Sequence, residues 1–545
     1  LHSGKQVCLL KSNYTVLRLK KLKLVWVKVA EMYILTALLL VCSIGLAFGQ
    51  TVKNTIQKSD SVVSLTEYMP IIWPDSIGIS YFQKLRLNKQ AGEGDINGIT
   101  NSLLTIAENN GYAFARVTPY FIIEDQKRRL GFGVANGPSF KWDTLTISPK
   151  AIIKRRFLER YLYLIPGERY TQERIRSVAR AINQLPYVQQ VEPLSFAFEG
   201  TKASGQLFLK SRKANQADGV IGFLPNERQQ GKLLLNGEIN LKLYNLFRTG
   251  KSLVFEWRST RPGSLKLLAD YVHPVLFRTH WEFQANLQLQ KEDSSFFNRN
   301  GKLTLLYQFE NGTKAGFFVR NLRSSILLQN SVLAEGNSGN LQGTQYIELG
   351  GGIEKNTLSD YFSPRRGIYL KAEGGFGNKK IQAPLADSLS QSPTEVTKSK
   401  QFTGKLAFQR YTSLSPKTTL LVKMQASGVF NSQLKRNELL RLGGLQTMRG
   451  FAENYFFCSK YAVSSLECLY YLEDNSTIGL FLDQAIVERS LLQKNITDYP
   501  TAIGILVKLN AKAGIFNLAY ALGRNADAGF GFSTAVVHFG VSGRF

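Results

Sequence analysis

From about Ala217 to the end, the chain alternates apolar and polar residues with period two. In Asn236–Tyr244, Gly237, Ile239, Leu241 and Leu243 fall on one face and Asn236, Glu238, Asn240, Lys242 and Tyr244 on the other. In His280–Gln290, Trp281, Phe283, Ala285, Leu287 and Leu289 oppose His280, Glu282, Gln284, Asn286, Gln288 and Gln290. Such alternation over about ten residues predicts strands with one apolar and one wet face. A soluble β-sandwich produces the same pattern. The region nevertheless runs for some 330 residues without a predicted helix, and at roughly 20 residues per strand and turn that gives about 16 strands. Strands facing lipid must pair all their backbone groups, so the sheet must close. The expected fold of residues 214–545 is a transmembrane antiparallel β-barrel.

Upstream the periodicity changes to that of small α+β units. Asp95 is placed to cap a helix with Ile99, Leu103 and Ile106 on one face, ended by Asn110-Gly111. Strands follow over Tyr120–Glu124 and Arg129–Val134, after Val117-Thr118-Pro119. Some 75 residues later the grammar returns. Thr171 is placed to cap a helix carrying Ile175, Val178 and Ile182, and Val191-Glu192-Pro193 leads into strands Leu194–Phe198 and Gly205–Lys210. Each unit has an earlier strand: Gly78–Leu87 in the first and Ser139–Ile147 in the second, the latter followed by a helix over Ala151–Leu164. The expected boundaries are 67–137 for module one and 138–213 for module two, preceded by a linker over 50–66.

A short apolar run from Tyr33 ends at Ala47-Phe48-Gly49, with Lys20, Lys21, Lys23 and Lys28 before it. This reads as a signal peptide within a leader of residues 1–49, with Met32 as an alternative start. Mean hydropathy is −0.13, which argues against a bundle of membrane helices but not against a barrel. The net charge of +28 is spread along the chain rather than clustered, so it does not point to nucleic acid; a basic module, a polar lumen and neighbouring anionic headgroups of outer-membrane lipid account for it. Cys458 and Cys468 would lie about 30 Å apart on one extended segment, too far for a disulfide unless Cys458 sits in a folded-back loop, so two free thiols are expected. Four histidines, no metal-ligand spacing and no nucleophile motif leave no catalytic or cofactor site to assign.

Between about 431 and 457 the sequence is too polar and glycine-rich for a barrel strand. It contains Leu442-Gly443-Gly444-Leu445-Gln446-Thr447-Met448-Arg449-Gly450-Phe451. Further on, Phe481-Leu482-Asp483 places Asp483 on the wet face opposite Ile478, Leu480, Leu482 and Ile486, and Glu467 takes the wet face opposite Leu466, Cys468, Tyr470 and Leu472. The last strand, Ala535–Phe545, puts Val537, Phe539, Val541 and Phe545 toward lipid and His538, Gly540, Ser542 and Arg544 inward. Together with Asp360–Gly367 and Tyr520-Ala521-Leu522-Gly523, these features resemble the outer-membrane assembly factors of the BamA/TamA group, in which POTRA domains precede a surface-antigen-type barrel. Met448 and Ala485 depart from the residues usual in that pattern, and Gly543 from the usual terminal signal.

The resemblance implies a long loop folded into the lumen and clamped by Arg449, Gly450 and Phe451 against Glu467 and Asp483. It implies a seam and terminal signal at His538, Gly540 and Phe545. It further implies periplasmic modules that receive unfolded client proteins by strand addition, accessory periplasmic or lipoprotein partners, and a place in the outer membrane. Three functions stay open at this stage: insertion of other barrels, two-partner secretion, and passive conduction or reception of solutes.

Overall fold

The computed structural model describes residues 67–68, 93–124, 127–225, 233–259, 264–292, 296–327, 342–382, 397–473, 475–491, 494–511 and 514–545. The expected leader, the linker and the strand over Gly78–Leu87 lie outside them. The described residues fall into two compact units, of which the second carries residues 97–119 and 132–545.

In the first module, β1 (Glu67–Tyr68) runs parallel to β3 (Lys127–Ala135), which also pairs with β2 (Arg116–Glu124). β2 begins earlier than the sequence suggests and takes in Pro119. Among the described residues it is an edge strand, where a missing N–H is tolerated. The helix Glu93–Asn109 buries Ile99, Leu103 and Ile106, and it starts before Asp95, which therefore is not its cap.

The second module is built from β4 (Lys141–Ile147), helices Arg155–Tyr161 and Gln172–Asn183, β5 (Val188–Gln190), β6 (Ser195–Glu199), β7 (Lys202–Leu207) and β8 (Leu209–Ser211). Its sheet has the order β4-β7-β6, with β4 and β7 parallel. The expected strand over Gly205–Lys210 is two strands, because β8 leaves this sheet to pair with β5. The first of its helices is shorter than the apolar pattern over Ala151–Leu164. Leu158, Leu164, Ile182 and Leu207 are sealed in its core. Thr171 occupies the N-cap position but makes no side-chain capping bond. Asn109 substitutes for it: its Oδ1 accepts from the Glu173 N–H at 2.9 Å, so the end of one helix satisfies the start of another.

The barrel strands are β9 (Gln216–Pro225), β10 (Leu233–Leu246), β11 (Lys251–Ser259), β12 (Leu265–His273), β13 (Trp281–Glu292), β14 (Phe296–Gln308), β15 (Thr313–Ile326), β16 (Thr344–Asn356), β17 (Gly367–Ile381), β18 (Thr397–Ser413) and β19 (Thr418–Phe430). After an excursion containing β20 (Leu440–Leu442) and β21 (Phe456–Cys458), the wall resumes with β22 (Lys460–Glu473) and β23 (Ser476–Leu491). It continues with β24 (Lys494–Asp498), β25 (Thr501–Ala511), β26 (Gly514–Arg524) and β27 (Val536–Arg544). β24 and β25 both pair with β23 and form one strand broken at Pro500, which has no N–H to donate, so the closed antiparallel barrel has 16 strands. Its outer face exposes Leu480, Leu482, Ile503, Ile505, Val537 and Phe539. Its inner face buries ion pairs such as Arg320–Glu348, 2.7 Å, and Lys314–Glu282, 2.8 Å. Apolar outside and charged inside is the inverse of a soluble barrel and fits a membrane-spanning one.

The second module docks on the rim formed by the first half of the barrel. Asn245 Nδ2 donates to the Ile152 carbonyl at 2.7 Å, and the Lys154 N–H donates to the Arg248 carbonyl at 3.0 Å. The rings of Tyr163 and His280 stack 3.8 Å apart at 7°. Arg174 bridges Glu168 and Glu310 at 2.8 and 2.7 Å. Gly250 lies so close to Phe157 that a Cβ would sit 2.2 Å from the ring.

Candidate functional site

The segment between β19 and β22 leaves the wall and folds into the lumen. It is not devoid of strand, as its polarity suggests: β20 and β21 pair into a short hairpin. Leu442, Met448 and Cys458 are fully buried, packed with Phe451 and Phe456 against inward-facing Val463, Ala485, Val487 and Ala502. The loop thus has an apolar underside, and Met448 fills part of it.

Arg449 lies beside this patch, buried at 5% exposure. Its Nε and Nη2 donate to the two carboxylate oxygens of Asp483 at 2.8 and 2.5 Å, a bidentate pair. Its own backbone N–H reaches Asp483 Oδ2 at 3.3 Å. Nη1 is 2.9 Å from Glu467 Oε1, and Lys423 also pairs with that carboxylate. Ser465 Oγ donates to Asp483 Oδ1 at 2.5 Å. The guanidinium carbon lies 3.7 Å from the centre of the Phe481 ring, which gives the cation a face to stack on. Glu467 and Asp483 are 4% and 1% exposed, so neither is a solvated wall residue. The structure therefore brings together Arg449, Glu467 and Asp483 from the loop, β22 and β23.

Gly450 has φ +80°, a region that L side chains rarely adopt. A Cβ there would stand 2.9 Å from Ala502 Cβ and 3.1 Å from the Gly523 backbone. Gly523 in turn approaches the Gly450 carbonyl so closely that any side chain at 523 would collide with it. Two glycines let the loop backbone touch the wall. Phe451 is buried, its ring 4.8 Å from Phe456 and 5.4 Å from Tyr455.

A second pin went unseen in the sequence. Lys379 on β17 donates to Glu438 Oε2 at 2.5 Å and to the Gln433 carbonyl at 2.8 Å, with side-chain exposures of 0% and 3% for the ion pair. Asn437 adds bonds to Ser324 Oγ, 2.7 Å, and the Gln342 carbonyl, 3.0 Å. Strand parity would have placed Lys379 inward, opposite exposed Phe376, but nothing in the sequence pairs it with Glu438.

The turn between β16 and β17 is tied to module and wall alike. Asp360 accepts from Arg212 at 2.8 Å and from the N–H groups of Phe362 and Ser363. Burial would raise the Asp360 pKa, but these donors outweigh it and hold the carboxyl below its usual range. Arg544 of the last strand stacks 3.9 Å from the Phe362 ring.

His538, Gly540 and Phe545 are not part of the arginine cluster. They belong to β27 and its end, where His538 and Gly540 border a lumenal cavity of about 1170 Å³. The seam beside them is short. Among the described residues β27 meets β9 only at Gly543↔Ala217 and Arg544↔Gln216, two registered pairs, whereas β9 meets β10 over ten and β26 meets β27 over seven. The Phe545 N–H extends it with a 2.9 Å bond to the Asn215 carbonyl. Cys458 is buried and Cys468 exposed, both as free thiols.

No protein-family model and no curated protein matches the sequence. Solved structures do. CdiB from Acinetobacter baumannii aligns with 12% identity over 90% of this chain and 91% of its own, with a TM-score of 0.54. CdiB from Escherichia coli aligns with 14% identity over 90% and 92%, with a TM-score of 0.52. BamA from Haemophilus ducreyi lacking POTRA domains 1–3 aligns at 14% identity over 89% of this chain and 100% of its own, at a TM-score of 0.43. The fold of this chain is that of the two CdiB structures, matched over nine-tenths of its length.

Proposed function

We propose that this protein is an outer-membrane barrel that inserts other proteins into that membrane, with POTRA-type modules on the periplasmic side receiving unfolded clients and no catalytic chemistry of its own. The observation that carries this reading is the seam. Among the described residues, most of the β9 edge facing β27 has no strand partner there, while its other edge is fully paired. An unpaired edge is a template for another strand. β6, at the edge of the second module's sheet among the described residues, offers a second such template. The Arg449 cluster keeps the loop seated so that the lumen stays filled while the seam parts.

A translocation reading is favoured by one observation, the polar lumenal cavity beside the loop. One experiment separates the two. Ala217→Cys with Gly543→Cys, in a Cys468→Ser background, places two thiols on directly opposed residues, within disulfide reach. In proteoliposomes, the oxidised protein should fail to insert an unfolded barrel client, and reductant should restore insertion. Undiminished insertion by the oxidised protein would refute the seam mechanism. Continued passage of a secreted chain through the oxidised barrel would favour translocation.

A further inference from the structure

The lipid-facing surface on the wall formed by β16 to β18 carries glycine where a barrel normally carries apolar side chains. Gly351, Gly374 and Gly404 are directly registered across these strands. None has a positive φ, so no backbone conformation demands glycine there. A Cβ on Gly374 or Gly404 would meet nothing within 4 Å, so neither close packing nor a covering ring demands it either. Glycine inside a strand is unfavourable on its own account. What these glycines leave is space: Gly351 and Gly374 line an open trough of about 580 Å³, and Gly404 continues its bare floor beside Gly374. That volume is within the range of small-molecule sites.

The trough has a defined wall. Leu349, Phe376 and Phe402 form the next registered row on the same face, and Phe402 is registered with Phe430. Phe376 and Phe402 are 61% and 54% exposed, standing out from the surface rather than folding over the glycines. The Phe430 ring leans over Gly428 and closes one end. Further along the strands, away from the rim that docks the second module, the outward residues become basic. Lys400 lies four residues from Gly404, about 13 Å, and Lys398 six residues, about 20 Å. Lys380 is registered with Lys398, and Gln345 joins it to Arg323 on β15. All four cations are exposed.

We propose that this trough binds one acyl chain of an anionic, phosphate-bearing lipid, with the phosphate held by Lys380, Lys398 and Lys400. The apolar, side-chain-free floor admits a hydrocarbon chain, and the aromatic wall holds it laterally. The basic rim supplies the charge complement at headgroup height. A second copy of the barrel fits less well: two copies in one membrane would bring their basic rims together at the same level. The inference is independent of whether the barrel inserts or exports clients.

The test uses the full-length protein in detergent, titrated with phosphatidylglycerol or with phosphatidylcholine of the same chains, and read by native mass spectrometry. The wild type should retain one phosphatidylglycerol in preference to phosphatidylcholine. Gly374→Phe with Gly404→Phe should weaken that retention about tenfold, through loss of the contact area along the trough. Joint substitution of Lys380, Lys398 and Lys400 by Gln should abolish the headgroup preference while leaving chain binding. Leu480→Phe, on another part of the outer face, should change neither. Heat-modifiable gel mobility checks that each barrel is folded, and Gly374→Leu alone replaces the double variant if that one fails to fold. Unaltered retention in a folded, filled variant would overturn the proposal. So would a wild type that retains a second copy of itself instead of lipid.

Discussion

Replacing Arg449 by Met keeps an apolar stem over Phe481 and removes the charge. Asp483, at 1% exposure, then loses two charge-assisted bonds and keeps only Ser465 and one long backbone N–H. Glu467 fares better, because Lys423 still pairs with it. Removing one partner of a buried ion pair costs about 3–5 kcal/mol, mainly through the charge left behind. With Glu467 still compensated, the lower end applies, about 3 kcal/mol. At 1.4 kcal/mol per factor of ten, this raises the population of the unseated loop by about 10²-fold. The wall keeps its ladder, so the barrel itself should not unfold. The assay is native-state hydrogen exchange over residues 444–458, where protection should fall by that factor. Asp483→Asn in the Met background removes the stranded charge and should recover part of the loss, giving a coupling energy of opposite sign to the single effects. Unchanged protection in Arg449→Met would refute the reasoning, as would simple additivity of the two substitutions.

Gly450→Ala should lower loop protection by about 1–3 kcal/mol, since φ +80° strains any side chain. Its Cβ would also crowd Ala502. Limited proteolysis at 450–456 reads this, and wild-type resistance would contradict it. Lys379→Met strands Glu438 and should expose residues 431–441 to exchange by a similar factor of about 10² while leaving 444–458 protected. Coupled loss of both segments would show the two pins to be one unit. The docked module should loosen in acid. Burial lowers the His280 pKa, with Arg160 and Arg174 opposing and Glu168 and Glu310 favouring its protonation. A depressed histidine contributes its stability above its unfolded value near 6.5 and loses it as pH falls below that. Protection factors within the module, taken against the intrinsic rate at each pH, should therefore fall between pH 7.5 and 5, and His280→Phe, which keeps the stack on Tyr163, should flatten that dependence. An equal fall in the variant would remove His280 from the account.

The barrel was legible because lipid imposes a rule on every second residue. The alternation around Leu480, Leu482 and Asp483 reports the environment directly, and counting strand lengths gave the right size. Arg449 and its two carboxylates could be named because parity put Glu467 and Asp483 on the wet face. Their distances, and the Phe481 stack, depend on how the loop enters, which no local pattern encodes. Lys379–Glu438 was invisible for the same reason: 59 residues separate the partners and neither stands in a motif. Helix caps failed differently. Thr171 has the right residue type, but Asn109 from elsewhere in the chain does the bonding. The roles of Gly523 and Asp360 became clear only with their neighbours, Gly450 and Arg212, in place.

The docking of the second module has a mechanical corollary. Its contacts reach the turns that follow β10, β12 and β14, and Arg212 reaches the turn after β16. That half of the barrel is braced like a stator. β9 is fastened to it by ten registered pairs and by the Asn215 side chain, which accepts from the Tyr244 N–H at 2.9 Å. Whenever the joint between the two terminal strands yields, the braced side stays put. The travelling part is then the C-terminal strand, which carries Arg544 away from its seat on Phe362.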